Sequence, residues 1–410
     1  MKPTHNSPPH LTGAVTVTQA RDQILAMGTR LGPEQVPLGK ALGRTLAHDL
    51  AAALTNPPFD ASAMDGYAVR ASDIRTVPAT LHLAGESAAG WPYAGSVKAG
   101  EAVRIFTGAP VPDGSDTVVI QEDVSRSGDA VRLDVATRSG ANIRLRGDDF
   151  HEGQIVLKSG TRLLPRHILL AASAGHAMLA VTRRPIVAIL ATGDELVEPS
   201  DRPAAGQIVS SNTYGLAAMI EAAGGEARPL GIAKDTREDL QQKIAEAAGA
   251  DILVTMGGAS VGDHDLVKPA LEALGASIFF SKVAMRPGKP AFAGALGATC
   301  VLGLAGNPLS AMVGARVFLI PLIAKMLGRV DVLTPLIATL AGPMEANGPR
   351  EHYLRATLDR STAPPRATPF ASQDSSFVAV LNAVDCLIVN PANAPAQPAG
   401  AQVTVLALDF

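Results

Sequence analysis

The sequence of 410 residues holds only two cysteines, Cys300 and Cys386. Two thiols cannot build a disulfide framework or a four-thiolate zinc site, and both lie in apolar stretches, where a buried free thiol is the simplest state. Positive charge is not in surplus: 35 Lys plus Arg stand against 38 Asp plus Glu, a net charge of −3. That leaves no general basic footprint, so neither nucleic acid nor an anionic membrane is expected as a partner. Any anion must be held by a local arrangement. Residues Met1 to His10 contain no apolar h-region, so no signal peptide is expected and the cytoplasm is the expected location. G-x-x-x-x-G-K-[ST], H-E-x-x-H and C-x-x-C are missing, and no strand leads into G-x-G-x-x-G. A P-loop, a zincin helix, a thiol redox pair and an ordinary dinucleotide fingerprint are thereby excluded. The nine His residues show no metal-ligand spacing, and no internal repeat is visible.

What is present is apolar. Hydrophobic residues make up 47% of the chain and charged residues 18%, enough for several cores and too little charge for a long solvated coil. The length fits two to four domains at roughly 150 residues each. The charge-free window Pro290 to Ala315 contains five glycines and an Asn307-Pro308 turn signal. It reads as two strands, a turn and a helix start, not as a membrane helix.

The texture changes along the chain. Thr16 to Arg30 has a helical pattern, and the alanine-rich Ala41–Ala53 is expected as a second helix. Pro57 to Asp149 carries short apolar runs, such as Thr117-Val118-Val119-Ile120, between Gly, Pro, Ser and Asp clusters, the punctuation of a small β-domain. Ile155–Ala180 is again partly helical, so the β-domain reads as an insertion. From Ile186 strands and helices alternate: the continuous apolar run Ile186–Ala191 fits a parallel strand buried on both faces. Thr213–Ala223 reads as a helix after the capping residue Asn212, and Thr236–Ala248 as one capped by Thr236. This alternation implies an open, doubly wound α/β sheet. Strands return beyond Val332, as expected of a C-terminal β-barrel.

In such a sheet, ligands bind beyond the carboxyl ends of the strands. Three strand ends lead into glycine-containing polar loops: Thr192-Gly193-Asp194-Glu195, Gly257 through Asp265, and Gly306-Asn307-Pro308-Leu309-Ser310. Glycine permits close backbone approach, and its N–H groups can cradle a phosphate. Asp194, Glu195, Asp263 and Asp265 offer oxygen ligands for Mg²⁺. Arg286 and Lys289 add two cations for anions. Taken singly, Gly257-Gly258 reads more simply as a tight turn and Asp194-Glu195 as a helix N-cap. Three such loops at one edge define a candidate site.

Further stretches stand out: Ser62-Ala63-Met64-Asp65-Gly66-Tyr67-Ala68-Val69, Thr107-Gly108-Ala109-Pro110, and Asn142-Ile143-Arg144 through Asp149. With the three loops and Pro287-Gly288-Lys289-Pro290, in this order, the chain resembles the molybdopterin molybdenumtransferase family, which includes the C-terminal domain of gephyrin. The resemblance runs from about residue 15 to 405.

It implies a linking and dimerisation region in two parts (13–52 and 150–182), an inserted β-domain (53–149), an α/β molybdopterin-binding domain (183–330) and a C-terminal barrel (331–410). It also implies a homodimer whose site joins the central domain of one subunit to the β-domain of the other. The implied reaction takes adenylylated molybdopterin, molybdate and Mg²⁺, places molybdenum in the dithiolene, cleaves the phosphoanhydride and releases AMP. Carried onto this sequence, Asp65, Thr107, Asp149, Glu195 and Asp265 are catalytic. Thr192, Gly193, Gly257, Gly258, Ser260, Gly262, Lys289, Asn307 and Pro308 bind molybdopterin and its phosphates. Arg286, Lys289, Ser310, Arg355 and Ser375, or its neighbour Ser376, bind molybdate. Asp194, Glu195, Asp263 and Asp265 hold the metal, and Asp235 matches a family acid. Two positions depart: the family usually has Lys at Arg286 and Pro at Ala305. A molybdopterin adenylyltransferase and molybdoenzyme acceptors are implied as possible partners. The alternatives are that this chain is itself the adenylyltransferase, or a non-catalytic molybdopterin-binding scaffold.

Overall fold

The computed structural model describes residues 13–257, 266–329 and 334–408. Helix α1 (Val17–Met27) starts at a reciprocal cap, in which Thr16 Oγ1 accepts from the Gln19 N–H and the Gln19 side chain accepts from the Thr16 N–H. Its buried stripe, Val17, Ala20, Ile24 and Met27, repeats at three- and four-residue spacing. The expected helix over Ala41–Ala53 is not formed. Gly43 takes a φ of +76°, and the stretch makes turns and a short strand, Leu50–Ala51. A left-handed residue this early stops the helical ladder before it nucleates.

The chain divides into two compact units. One comprises Gln35–Leu42 and His48–Ala180. Its six-stranded sheet holds β1 (Gly66–Val69), β2 (Ala79–Ser87), β3 (Glu101–Ile105), β4 (Thr117–Ile120), β5 (Val124–Ser127) and β6 (Ala130–Leu133), in the order β4-β1-β3-β2-β6-β5. Both faces are covered: Tyr67 and Val69 join one apolar cluster, and Ala68 between them joins another. The same unit holds α2 (Pro165–Ser173), which has proline at its first position.

The other unit contains the described parts of Met1–Glu34, Gly43–Ala47 and Val181–Phe410. Its central sheet holds β7 (Ile186–Thr192), β8 (Glu226–Ala233), β9 (Ile252–Met256), β10 (Ser277–Phe280), β11 (Phe292–Leu296) and β12 (Thr299–Leu304), in the order β8-β7-β9-β12-β11-β10. Strands β8, β7, β9 and β12 run parallel, and β11 pairs antiparallel with both of its neighbours. Along β7, Val187 and Ile189 pack in a cluster with Leu216 and Ile220 of α3 (Asn212–Ala223). Ala188 and Leu190 pack instead with Leu240 and Ile244 of α4 (Arg237–Ala245) and Leu271 of α5 (Val267–Ala273). Side chains that alternate between two helical layers are the signature of a doubly wound sheet.

The charge-free window forms β11, β12 and the start of a helical run: α6 (Pro308–Gly314), a π-turn at Ala315–Leu319 and α7 (Ile320–Leu327). Pro321 lacks an N–H and crowds the preceding turn, which accounts for the wider turn before it. By length and composition this run, Pro308–Leu327, is apolar enough to cross a membrane, yet 83% of its window is buried inside the unit as a core helix. Beyond it, β13 (Leu336–Leu340), β14 (Glu351–Asp359), β15 (Arg366–Pro369), β16 (Cys386–Asn390) and β17 (Gln402–Ala407) pair as β14-β15-β13-β17-β16, and β16 returns to β14 to close a barrel. Cys300 and Cys386 are both buried free thiols, and burial pushes them up to about 12 and about 11.

Candidate functional site

A cleft of about 620 Å³ opens where β7, β9 and β12 end, lined by residues of the loops that follow them. Its size is that of a small-molecule site. The loops are drawn together at glycine. Gly257 takes a φ of +94°, and a Cβ there would stand 2.5 Å from the Thr192 carbonyl oxygen. A Cβ on Gly306 would lie 3.5 Å from the Gly257 Cα. Only backbone fits where the first two loops meet, so polar main chain lies at the floor of the cleft. Thr192 is buried, and its hydroxyl donates to the Met256 carbonyl at 3.5 Å.

Asp194-Glu195 does not cap a helix, because a turn carries it into the short strand Leu196–Val197. Asp194 Oδ1 accepts from the Asp235 N–H at 3.1 Å, and Glu195 lines the cleft. The cap of α4 is Thr236, as expected, whose Oγ1 accepts from the Asp239 N–H at 3.3 Å. Of the four acids expected to hold a metal, the two described, Asp194 and Glu195, offer carboxylate oxygens, the ligand chemistry that suits Mg²⁺. Among the described residues, no group of three or more His, Cys, Asp or Glu forms a metal cluster.

The third loop runs into α6. Asn307 occupies the N-cap position but makes no side-chain cap. Its Nδ2 donates instead to Ser375 Oγ at 3.0 Å, while the Ser375 carbonyl accepts from the Leu309 N–H at 3.2 Å. A strap from the barrel thus satisfies a helix-start N–H that would otherwise lack a partner. Ser376 and Val378, on the same strap, line the cleft. Asp374 accepts from the Ser376 N–H at 2.9 Å and from its hydroxyl at 2.7 Å, and these bonds hold its carboxyl below the usual range.

The oxyanion candidates lie on the barrel side of α6. Met285–Arg286 pairs in parallel with the start of β14, with Arg286 opposite His352. Gly288, in the same loop, packs toward the Ser310 carbonyl, 3.6 Å from where its Cβ would stand. Arg286 and Lys289 are exposed and Ser310 is buried. Arg355, on β14, is 2% exposed and borders a smaller cavity of about 160 Å³ together with Leu309, Met312 and Val313 of the α6 run. Desolvation weakens its hold on its proton.

Of the residues singled out in the sequence, Thr192, Glu195, Gly257, Ala305, Gly306, Asn307, Pro308 and Ser376 line the large cleft, as does Asn212, and Ser375 is bonded to it through Asn307. Gly193 and Asp194 adjoin it in the chain. Gly258, Ser260, Gly262, Asp263 and Asp265 lie outside the described residues. The stretch 258–262 also has the spacing G-x-S-x-G of a nucleophile elbow. In the other unit, Asp65 Oδ1 accepts from both the N–H and the hydroxyl of Thr107, at 2.8 Å each, and these bonds keep the carboxyl of this half-buried residue below its usual range. Asp149 there accepts from Asn56 Nδ2 at 3.0 Å.

Sequence reasoning missed Ser210, Ser211 and Gln373. Asn212 does not cap α3. Ser211 holds that position, and Asn212 Nδ2 donates to the Gly306 carbonyl at 2.7 Å, joining the α3 start to the third loop. The run Ser210-Ser211-Asn212-Thr213 is more polar than one cap requires, and that excess was the available signal.

Three family models match along the chain. The "MoeA N-terminal region (domain I and II)" covers residues 15–175, a "probable molybdopterin binding domain" 188–325 and the "MoeA C-terminal region (domain IV)" 338–408. The α/β unit that carries the cleft is therefore of the probable molybdopterin-binding class, flanked along the chain by the two terminal regions of MoeA proteins. The molybdopterin molybdenumtransferase of Nostoc sp. is 36% identical over 367 residues, covering 87% of this chain and 84% of that protein. The molybdopterin molybdenumtransferase of Haemophilus influenzae is 38% identical over 318 residues, covering 77% and 78%. A solved molybdopterin biosynthesis MoeA protein from Pyrococcus horikoshii superposes with a TM-score of 0.85 at 29% identity, covering 97% of this chain and 100% of that one. This chain belongs to the molybdopterin molybdenumtransferase family.

Proposed function

We propose that this protein inserts molybdenum from molybdate into adenylylated molybdopterin, with cleavage of the phosphoanhydride and release of AMP. The observation that carries the reading is the cleft at the ends of three parallel strands, floored by the backbone of Gly257 and Gly306, in a chain of this family. A pyrophosphate needs N–H donors and a counter-cation. The loop that begins at Gly257 supplies the donors, with Gly258, Ser260 and Gly262 assigned to it from the sequence. Asp194 and Glu195, with Asp263 and Asp265, would hold Mg²⁺, which would neutralise phosphate charge as AMP departs. Thr192 and Asn307 fix the shape of the cleft floor and rim.

Molybdate, as substrate, is a tetrahedral dianion that calls for hydroxyls and fixed cations. Ser310, Arg355, Arg286, Lys289 and the Ser375–Ser376 strap provide them. In this reading the protein works as a homodimer, and Asp65, Thr107 and Asp149 of the β-domain act in catalysis. The residues adjoining Ala305 bear the cost of the missing proline, which otherwise stiffens the third loop.

The test is AMP release by the purified protein from adenylylated molybdopterin and Mg²⁺, with and without molybdate, together with the molybdenum content of the pterin. AMP release coupled to metal in the product is the expected result. Tight nucleotide binding without AMP release would overturn the transferase reading in favour of a scaffold. Formation of adenylylated molybdopterin from ATP would favour the adenylyltransferase.

A further inference from the structure

Buried arginines are usually matched by a carboxylate, because an unpaired charge is costly to bury. Arg355 donates hydrogen bonds only to neutral groups, and Asp374 acts on it through space without a bond. Its backbone N–H and its Nε both donate to Gln373 Oε1, at 3.0 and 3.3 Å. Its Nη2 donates to the Ser372 carbonyl at 3.2 Å. Gln373 Nε2 in turn donates to the carbonyls of Arg355, at 3.1 Å, and Phe370, at 2.9 Å. One amide therefore uses both ends to pin the main chain and the side chain of the same arginine. The next acid along the chain, Asp374, spends its hydrogen bonds on the N–H and hydroxyl of Ser376 and makes none to the guanidinium. After all these contacts Arg355 Nη1 is buried and without a hydrogen-bond partner. A satisfied network would have used that nitrogen.

We infer that Gln373 is a positioning residue for the oxyanion: it fixes the Arg355 guanidinium with neutral hydrogen bonds, so that no carboxylate is bonded to it and the Nη1 donors stay unspent for molybdate. The inference rests on the reading above that Arg355 serves the oxyanion, and it adds why the anchor is an amide. A carboxylate at 373 would supply the same acceptor oxygen for the N–H and Nε–H. It would also cancel the charge the anion is meant to meet, and it would lack the donor that holds the two carbonyls.

The experiment is molybdate binding to the full-length protein by equilibrium dialysis, with KM and kcat for adenylylated molybdopterin measured alongside. It is run on wild type, Gln373→Glu and Arg355→Met. For Gln373→Glu the expected result is a molybdate Kd raised by about tenfold or more, from loss of a charge-assisted contact, with the nucleotide KM unchanged. A merely structural role would lower Tm and shift both ligands together. If Gln373→Glu shows no cooperative unfolding transition, Gln373→Met is read in its place, with the same expectation for molybdate. An unchanged molybdate Kd in the variant that folds overturns the inference. If Arg355→Met also leaves the Kd unchanged, the oxyanion reading of Arg355 fails with it. If Arg355→Met weakens binding and the Gln373 variant does not, the positioning role alone fails.

Discussion

His352 makes the stability of this protein sensitive to mild acid. It sits on β14, opposite Arg286 on one side and Asn390 on the other, and is 9% exposed. Burial, followed by the positive charges of Arg286, Arg350 and Arg355, lowers its pKa from 6.5 to about 4. The imidazole is therefore neutral in the folded protein over a range where the unfolded chain would protonate it. In that range the unfolded state binds more protons, so stability rises with pH and is lost as pH falls from about 6.5 toward about 4. From the two pKa values, His352 alone removes about 2 kcal/mol by about pH 5, and up to about 3 kcal/mol by about pH 4, before residual solvent screening reduces the figure. The assay is urea unfolding of wild type and His352→Gln at a series of pH values between about 7.5 and about 4.5. The expected result is a steeper fall in stability for the wild type, with the two curves converging toward acid. Parallel curves would refute the reasoning, because the buried imidazole would then contribute nothing to the slope.

Gly257→Ala places a Cβ against the Thr192 carbonyl in a left-handed conformation. It is expected to cost about 2 kcal/mol or more in urea unfolding and to weaken nucleotide binding, and wild-type values for both would remove Gly257 from the cleft floor. Thr16→Ala deletes the capping box of α1 and should cost about 1 kcal/mol, read as faster amide hydrogen exchange in the first turn of that helix. Asp65→Ala should abolish turnover with little change in Tm, because the residue is only half-buried and its two side-chain bonds both go to Thr107. A large fall in Tm would make the residue a turn-former instead. Arg286→Lys should alter molybdate affinity more than nucleotide affinity, since it exchanges a fork-shaped donor for a point charge, and equal effects would take Arg286 out of the oxyanion role.

The middle of the central sheet was legible because β7, β9 and β12 are buried on both faces and so read as unbroken apolar runs, Ile186–Ala191 above all. Thr236 was legible as a cap because capping is local, fixed within a few residues of sequence. Local reasoning failed where a polar residue had a more distant use. Asn212 reads as a cap, yet its amide reaches Gly306. Asp194-Glu195 reads as a helix start, yet it turns into a short strand. Ala41–Ala53 has helical composition, but one left-handed glycine decides its path. The Asn307–Ser375 and Arg355–Gln373 bonds join segments that no window of a helix or strand period spans. The motif order brought their residues to attention, but only folding shows which side chain holds which.

The apolar run Pro308–Leu327 also has a consequence for synthesis of the chain. Its cluster is completed by Tyr353, Leu387 and Leu406, residues of the barrel strands that leave the ribosome after it. At about 5–20 residues per second, the stretch from Leu327 to Leu406 takes roughly 4 to 16 seconds to make. For that interval this apolar helix lacks the part of its cover that Tyr353, Leu387 and Leu406 supply. Translation order thus leaves one face of this segment open until the barrel is made, and a pause placed between the helix and the barrel would lengthen that exposure more than a pause anywhere before it.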